Sequence, residues 1–383
     1  MINQVKIQNF KSHKETTLIL RNLTVLCGGN GVGKSSLMQI LLLLREAYIK
    51  DRSFDILDLK SNPVKIGSVN DALYEFNNNS DDSISVKIDT DKGKYDFLYS
   101  VDSEDAKVKS FMPIKGKAKI PLKIADESLF NTNFQYISSA RMGPQTQYER
   151  DDKVVDVHKQ ISVVEGKAEY FVHFLDRYRN QEILKPLKYD NSNFTDLFSQ
   201  VIAWEKAISE GVNIEIQDLG KLGFVLKYNF DTHASTTRKT QNFEATNVGF
   251  GLSYVMPILV AILSSQKDAL LFIENPEAHL HPNGIAKLTE LICKAAQAGI
   301  QIVIETHSDH VINGILVQCK KFEENKTFGI DKQNISLFHF ERDESQHCTI
   351  AHSIKIEEDG TIRYAPKGFF DQFTIDRKYL MGF

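Results

Sequence analysis

Cysteine is scarce and shows no paired spacing. Four residues (Cys27, Cys293, Cys319 and Cys348) are scattered over 383, with no CxxC among them. That excludes a zinc ribbon or a disulfide scaffold and fits a reducing compartment. No apolar run approaches the length of a membrane span, and Met1 to Lys6 lacks the apolar segment of a secretion signal. A cytoplasmic location without membrane contact is therefore expected. A surplus of positive charge is missing too. At a net charge of −4, any contact with nucleic acid must come from a local patch. Nor is there a sustained heptad, which excludes a long coiled coil. What remains is 42% hydrophobic and 25% charged, an ordinary globular composition long enough for two or three domains or one elaborated domain.

The most informative stretch runs from Cys27 to Ser36, where Gly28 to Ser35 matches G-x-x-x-x-G-K-[ST]. The apolar, β-branched run Leu23 to Cys27 reads as a buried strand. Lys34 to Lys50, free of Gly and Pro and containing Ile40 to Leu44, reads as a buried helix. Strand, glycine-rich loop and helix form the arrangement that a phosphate loop requires. Gly28, Gly29, Gly31 and Gly33 let backbone N–H groups turn inward toward phosphate oxygens, with Asn30 and Ser36 in the same cradle. The helix dipole adds to that field. Lys34 is expected to reach the β- and γ-phosphates of ATP, and Ser35 to sit on Mg2+.

A second apolar strand, Leu270 to Ile273, ends in Glu274-Asn275-Pro276-Glu277. A carboxylate at a strand end can support the Mg2+ shell, and a second carboxylate or an amide can orient or deprotonate the attacking water. Glu274 is the metal-side candidate. Glu277 is preferred as base, with Asn275 as the alternative. A third strand, Gln301 to Glu305, leads into Thr306-His307. A metal cluster of His279, His281, His307 and His310 is a weaker reading of the same histidines. A glycine-rich turn, Asn247 to Ser253, opens an apolar helix over Val255 to Leu263. By itself, that turn would be a helix start followed by packing.

The rest of the chain supplies strands and a lobe. Residues 4–10, 15–20 and 23–27 read as an antiparallel start, with a polar turn at Lys11 to Lys14. Val64 to Asp71 is expected to return to the sheet. Strands are expected over Ser83 to Asp89, Lys94 to Val101 and Ala106 to Phe111, and the turn cluster 77–82 adjoins them. Six lysines between Lys107 and Lys123 (Lys107, Lys109, Lys115, Lys117, Lys119 and Lys123) would line one strand face. A solvated face is the preferred reading, and contact with DNA phosphates the alternative. Arg141, just past a strand at 135–140, is either an anchor or faces nucleotide. Helices are expected over Gly166 to Gln181 and Asn193 to Glu210, followed by strands at Val212 to Ile216 and Gly223 to Asn229.

The order of these pieces resembles the ATPase heads of the SMC/RecF/OLD group of ABC-type ATPases. The residues that carry the resemblance are Asn9-Phe10-Lys11-Ser12, Gly28 to Ser35, Val248 to Pro257, Glu274 to Pro282 and Glu305 to Ile315. The stretch Ile354 to Gln372 is similar to a small domain of unknown function that closes many such ATPases. The resemblance covers roughly 1–75 and 240–383 and is loose between them. It implies that Lys11 lies beside the nucleotide and that His307 is the switch histidine reading the γ-phosphate. It also implies that Ser253, with Gly249 and Gly251, binds the nucleotide of a second copy. Such heads usually end the second strand in Asp-Glu. The Glu274-Asn275 found here departs from that pattern and leaves the rate of hydrolysis open. No glutamine near 51–76 fits the Q-loop.

The expected fold is an α/β ABC-type ATPase head, with an antiparallel β subdomain and a helical insertion. The expected divisions are 1–144, 145–235, 236–330 and a small C-terminal domain at 331–383. The resemblance implies an ATP-hydrolysing switch that forms a homodimer around ATP and Mg2+ and controls a separate effector, a nuclease or toxin, in anti-phage defence. A RecF-like DNA-binding maintenance factor is the alternative, and a nucleotide-binding scaffold with little turnover a third. Few residues follow His307, and Glu341, Asp343 and Glu344 form no D-x-D, so no built-in nuclease is expected.

Overall fold

The computed structural model describes residues 1–77, 82–116, 120, 123–190, 192–232, 239–366, 368–370 and 372–382. Its centre is a six-stranded sheet. The phosphate-loop strand β3 (Leu23–Gly28) lies inside it, and the sheet order is β15-β14-β3-β13-β12-β8. The partners are β8 (Phe134–Ile137), β12 (Leu270–Glu274), β13 (Gln301–Thr306), β14 (Ile335–Asp343) and β15 (Cys348–Ile354). All neighbours are parallel except β14 and β15, which form an antiparallel hairpin. Strands buried on both faces are largely apolar, and β3, β12 and β13 are, with the carboxylates Glu274 and Glu305 at or next to the strand ends.

Alternate residues of these strands feed two cores. Leu23, Val25, Ile273, Ile302 and Ile304 face one; Leu26, Phe272, Val303 and Phe338 face the other. The second core encloses helix α1 (Lys34–Asp51) between the central sheet and an antiparallel sheet of order β2-β1-β5-β6. That sheet consists of β1 (Ile2–Phe10), β2 (His13–Ile19), β5 (Ser83–Thr90) and β6 (Lys94–Ser100). The run Ile40 to Leu44 has no polar face because α1 is covered on both sides. At about 1.5–3 kcal/mol per fully buried aliphatic side chain, this helix is a principal source of cohesion. A small two-stranded antiparallel sheet of β4 (Ile56–Asp58) and β7 (Phe111–Pro113) caps its far end.

The first core packs α5 (Phe250–Ser264), α6 (Pro282–Gln297) and α7 (Asp309–Glu324) with a lobe built from within 145–244. The lobe holds α3 (Phe171–Arg177), α4 (Leu197–Ile208) and a three-stranded sheet of β9 (Val212–Asp218), β10 (Phe224–Phe230) and β11 (Phe243–Glu244). It is thus mixed rather than mainly helical. The first helix is shorter than the pattern suggests because Gly166 and Ala168 adopt positive φ, which interrupts helical geometry before Phe171.

Three further expectations change. Val64 to Asp71 does not rejoin the sheet. It leads into the single turn α2 (Val69–Ala72), started by a reciprocal Ser68–Asp71 cap. Residues 106–110 form turns, so no lysine-lined strand face exists there. Lys107 sits in a turn paired with Asp82 at 3.1 Å, while Lys117 and Lys119 lie outside the described residues, as does most of the 77–82 cluster. Finally, 331–383 is not detached from the sheet: β14 lies beside the phosphate-loop strand with Leu337, Phe338 and Phe340 buried, and after β15 Ile356 joins the first core and Phe369 packs against His339 ahead of α8 (Gln372–Leu380).

Candidate nucleotide-binding site

The loop after β3 is shaped by what touches its back. A Cβ on Gly28 (φ 136°) would fall 2.2 Å from the Phe340 carbonyl oxygen of β14, so only glycine fits. Gly33 (φ 99°) is backed by Thr349 and Ser12, whose hydroxyls lie 2.7 Å apart. Thr349 Oγ1 also donates to the Val32 carbonyl (2.9 Å), and Arg342 Nη2 donates to the Gly31 carbonyl (2.5 Å). His13 is fully buried and bridges Gly33 O (2.9 Å) and Thr16 Oγ1 (2.9 Å). A carbonyl only accepts, so Nε2 carries the proton and Nδ1 accepts from Thr16. Burial holds the His13 imidazole neutral, its pKa pushed down to about 4.

In front of the loop is a cavity of about 490 Å³ bounded by Lys11, Ser12, Asn30, Gly31, Gly33 to Ser36, Gln39, Asn275, Glu305, His307 and Arg342. Lys34 is buried and donates to the carbonyls of Gly28 (3.1 Å) and Gly29 (2.5 Å). Its Nζ lies 3.7 Å from Glu305 Oε1. Burial lowers the Lys34 pKa and Glu305 opposes that fall. Ser35 Oγ donates to Glu305 Oε2 at 2.7 Å. Burial raises the Glu305 pKa, with the Glu274 charge adding to the effect and Ser35 and Lys34 opposing it.

Glu274 is cross-strand partner to Glu305 but is held from the other side. Tyr136 Oη (2.9 Å) and the Ser139 amide (3.0 Å) donate to its two oxygens. It does not reach Ser35. Asn275 adopts positive φ at the cavity wall, and its Oδ1 is buried without a partner. Glu277 Oε1 accepts from Thr306 Oγ1 (2.8 Å) and the His307 amide (3.0 Å), while its Oε2 is buried and unpartnered. His307 is half-exposed, with its Nε2 3.9 Å from Glu305 Oε1. Its pKa is lowered by burial and by Lys34, so it is neutral near pH 7.

Lys11 reaches the same cavity, with its amine donating to Gln39 Oε1 (2.9 Å). Burial lowers its pKa. Arg141 is an anchor. Its buried guanidinium donates to the carbonyls of Glu274 (2.8 Å), Asn275 (2.8 Å), Ser138 (3.1 Å) and Tyr254 (2.9 Å), tying β12 to α5. Its pKa is pushed down to about 10 by burial.

The turn at 247–253 behaves differently from the expectation. Helix α5 already starts at Phe250, which places Ser253 inside the first turn. Its side chain is fully buried and bonds Tyr228 Oη at 3.1 Å, so its hydroxyl is not presented to a second copy. Asn247, Gly249 and Phe250 are the exposed part of the turn, and Gly251 packs against the His279 carbonyl. No group of three or more His, Cys, Asp or Glu able to hold a metal occurs among the described residues, so the four histidines are not brought together as a metal centre.

Sequence reasoning missed Glu305, Gln39 and Arg342. Gln39 stands one helical turn after Ser35, on the same face of α1. Glu305 is two residues from Val303, so strand alternation points it toward α1. Arg342 had no local signal, because it arrives from a segment read as a separate domain.

A family model, "AAA domain, putative AbiEii toxin, Type IV TA system", matches residues 23–313. The chain belongs to this AAA-domain family. Residues 330–380 match "Protein of unknown function (DUF3696)". The chain is 26% identical over 359 residues to the Old nuclease of Escherichia phage P2, covering 82% of this chain and 58% of that protein. It therefore spans well under two thirds of that relative. Among solved structures, an SMC head bound to the C-winged helix domain of ScpA aligns at 14% identity with a TM-score of 0.52, covering 93% of this chain and 99% of that one. A Pyrococcus furiosus Smc head, bound to the C-terminal domain of ScpA, aligns at 12% identity and 0.51, covering 92% and 96%. The fold of this AAA-domain protein is therefore that of an SMC head, as its motifs implied. Family and motifs make it an ATPase of the ABC/SMC/OLD type. No helix among the described residues is long and apolar enough to cross a membrane.

Proposed function

We propose that this protein binds ATP with Mg2+ in the cavity before Gly28 to Ser36, hydrolyses it, and uses the cycle to control a partner protein. The observation that carries the reading is the convergence of Lys34, Ser35, Asn275 and His307 on one cavity, with Glu277 fixed behind His307. The residues fit the absent nucleotide. Lys34 donates to carbonyls of its own loop and pairs with Glu305, and Asn275 Oδ1 and Glu277 Oε2 are buried acceptors without donors. A phosphate group and an ordered water are the kinds of ligand that such groups lack.

In this reading the N–H groups of the glycine-rich loop and Lys34 hold the phosphates, and Ser35 supports Mg2+, which supplies neutralisation of charge on the transferred phosphoryl group. Asn275 and Glu277 handle the attacking water. Glu277 is the better base because one oxygen is anchored and the other is free to accept a proton. His307, neutral and half-exposed, donates toward the γ-phosphate. The adjoining cavity of about 610 Å³ shares Lys11, Ser12 and Arg342 with the phosphate end, and takes the nucleoside.

Dimerisation around ATP is supported by the exposed Gly249–Phe250 turn rather than by Ser253. Control of a protein partner is supported by the SMC heads bound to ScpA domains. The family description and the Old nuclease relative support a toxin or nuclease effector in phage defence. The lysine-lined strand face offered for DNA contact is not formed at 106–110, where Lys107 lies in a turn and pairs with Asp82.

The test is steady-state hydrolysis and nucleotide binding. Lys34→Ala should lose ATP binding. Glu277→Gln should bind ATP as wild type does, hydrolyse at least a hundredfold more slowly, and accumulate as an ATP-dependent dimer in light scattering. An unchanged rate would reject Glu277 as the base, and no ATP binding by the wild type would reject the reading.

A further inference from the structure

We propose that the cavity between the end of α1 and the edge strand β8 is a second binding site, for a small organic anion with a flat apolar body, and that its occupancy is felt at Glu274 through Tyr136. The site stands apart from the phosphate loop, and only its effect on turnover rests on the nucleotide reading above.

The cavity encloses about 420 Å³, within the range of roughly 300–1,000 Å³ in which small molecules bind. Ile49, Pro63, Phe130, Phe134 and Tyr136 give it apolar, largely aromatic walls that suit a flat ring. Its charge comes from arginine. Arg45 is only 7% exposed, yet among the described residues no carboxylate bonds it. Its Nη1 donates to the carbonyls of Leu129 (2.5 Å) and Asn131 (2.9 Å), and its guanidinium lies 4.2 Å from the centre of the Phe134 ring. Among the described residues Nε and Nη2 have no acceptor, and neither is sealed off, so that edge of the guanidinium opens on the cavity. Two parallel N–H donors on one edge form the fork that takes a carboxylate or phosphate. Burying a cation without a counter-charge costs several kcal/mol, and an anionic ligand is what would offset it. Burial brings the Arg45 pKa down to about 9, so it is still charged at neutral pH. Exposed Arg52, set over the Tyr48 ring, adds a second positive charge at the solvent side. Glu46 is the one carboxylate among the described lining residues, and burial raises its pKa. The link to the nucleotide site is one residue thick. Tyr136 forms part of the wall and donates from Oη to Glu274 Oε1 (2.9 Å). Gly166, on the same wall, lies so close to the Tyr136 ring that a Cβ would fall 2.7 Å from it. The Gly166 carbonyl accepts from the Ser138 amide (2.9 Å), next to Ser139, whose amide also holds Glu274. A ligand lying on Tyr136 therefore bears on both donors that fix the Glu274 carboxylate.

The experiment titrates the full chain with naphthoate, naphthyl phosphate and the neutral naphthalenemethanol in a calorimeter, with and without a non-hydrolysable ATP analogue. Wild type should bind at least one of the anions about tenfold more tightly than the alcohol, whether or not the analogue is present. The tighter anion identifies carboxylate or phosphate as the head group. Arg45→Lys, which keeps a charge but loses the fork, should bring the anions down to the level of the alcohol. Val163→Trp, which fills the cavity from its half-open side, should abolish binding of all three probes and leave the affinity for the analogue unchanged. If Arg45→Lys does not fold, Val163→Trp decides. The bound anion should also change steady-state ATP hydrolysis by about fivefold, and Tyr136→Phe should bind it as wild type does and lose that response. Anions that bind no better than the alcohol, or full binding by Val163→Trp, overturn the site. A hydrolysis rate that the bound anion leaves unmoved overturns the link through Tyr136. A chain that binds the anion through Arg45 but neither binds nor hydrolyses ATP supports the site and overturns the nucleotide reading.

Discussion

His13 shows how one side chain can tie stability to the shape of the phosphate loop. Its folded pKa of about 4 lies below the ordinary 6.5, so between those values the unfolded chain binds more protons than the folded one. The neutral-histidine contribution is complete above pH 6.5 and is lost as pH falls from 6.5 toward 4. The span corresponds to roughly 3 kcal/mol. Urea unfolding at pH 7.5 and pH 5 should show wild type losing more stability than His13→Gln, which removes the titrating group. Equal losses would mean that His13 does not set this slope. The Asn9 to His13 turn was legible as a motif, but its packing was not. Ser12, the neighbour of His13, is held by Thr349, more than three hundred residues away, and no local pattern carries that information.

At the scale of elements, alternation explains most of what could be read. In β13, Ile302 and Ile304 point to one core and Val303 to the other, so Thr306 turns toward Glu277 and Glu305 toward Ser35. The strand was legible, but the sequence reading stopped at the histidine and passed over the glutamate. The start of α5 was misread for the opposite reason. Glycines suggested an open turn through Ser253, whereas burial of Leu252 and Ser253 extends the helix back to Phe250. The neighbouring lobe carries a liability. Glu205 of α4 is fully buried, neither carboxyl oxygen has a partner, and burial raises its pKa well above the ordinary value. A raised folded pKa gives stability that is present at acidic pH and lost as pH rises. Glu205→Leu should therefore stabilise the protein by about 1–3 kcal/mol, with the gain larger at pH 8 than at pH 5. Thermal melts at the two pH values check both the sign and its trend.

Across the whole molecule, the phosphate loop is held by pieces from both ends of the sequence. Ser12 and His13 come from the first hairpin, Arg342 and Thr349 from β14 and the start of β15. Occupying the loop should therefore steady the distant hairpin. In hydrogen–deuterium exchange, adding a non-hydrolysable ATP analogue should slow exchange over 342–349 along with 28–36. Thr349→Val, which removes the hydrogen bond to Val32, should weaken that coupling and cost about 1–3 kcal/mol of stability. Slowing confined to 28–36 would show that the clamp does not transmit binding. The central sheet was foreseeable in kind from its apolar strands. Its order was not, because pairing of β3 with β14 is set by long-range packing.

That pairing has a consequence for how the protein is made. β3 is translated early, yet both of its neighbours, β13 and β14, are more than two hundred and seventy residues downstream. At synthesis rates of about 5–20 residues per second, the motif strand waits on the order of tens of seconds with both edges open. During that interval the nascent chain carries a complete nucleotide motif in its sequence but no nucleotide site, and its apolar strand is exposed to wrong partners. Ribosome-bound chains arrested before residue 335 should accordingly be chaperone clients that ATP cannot rescue.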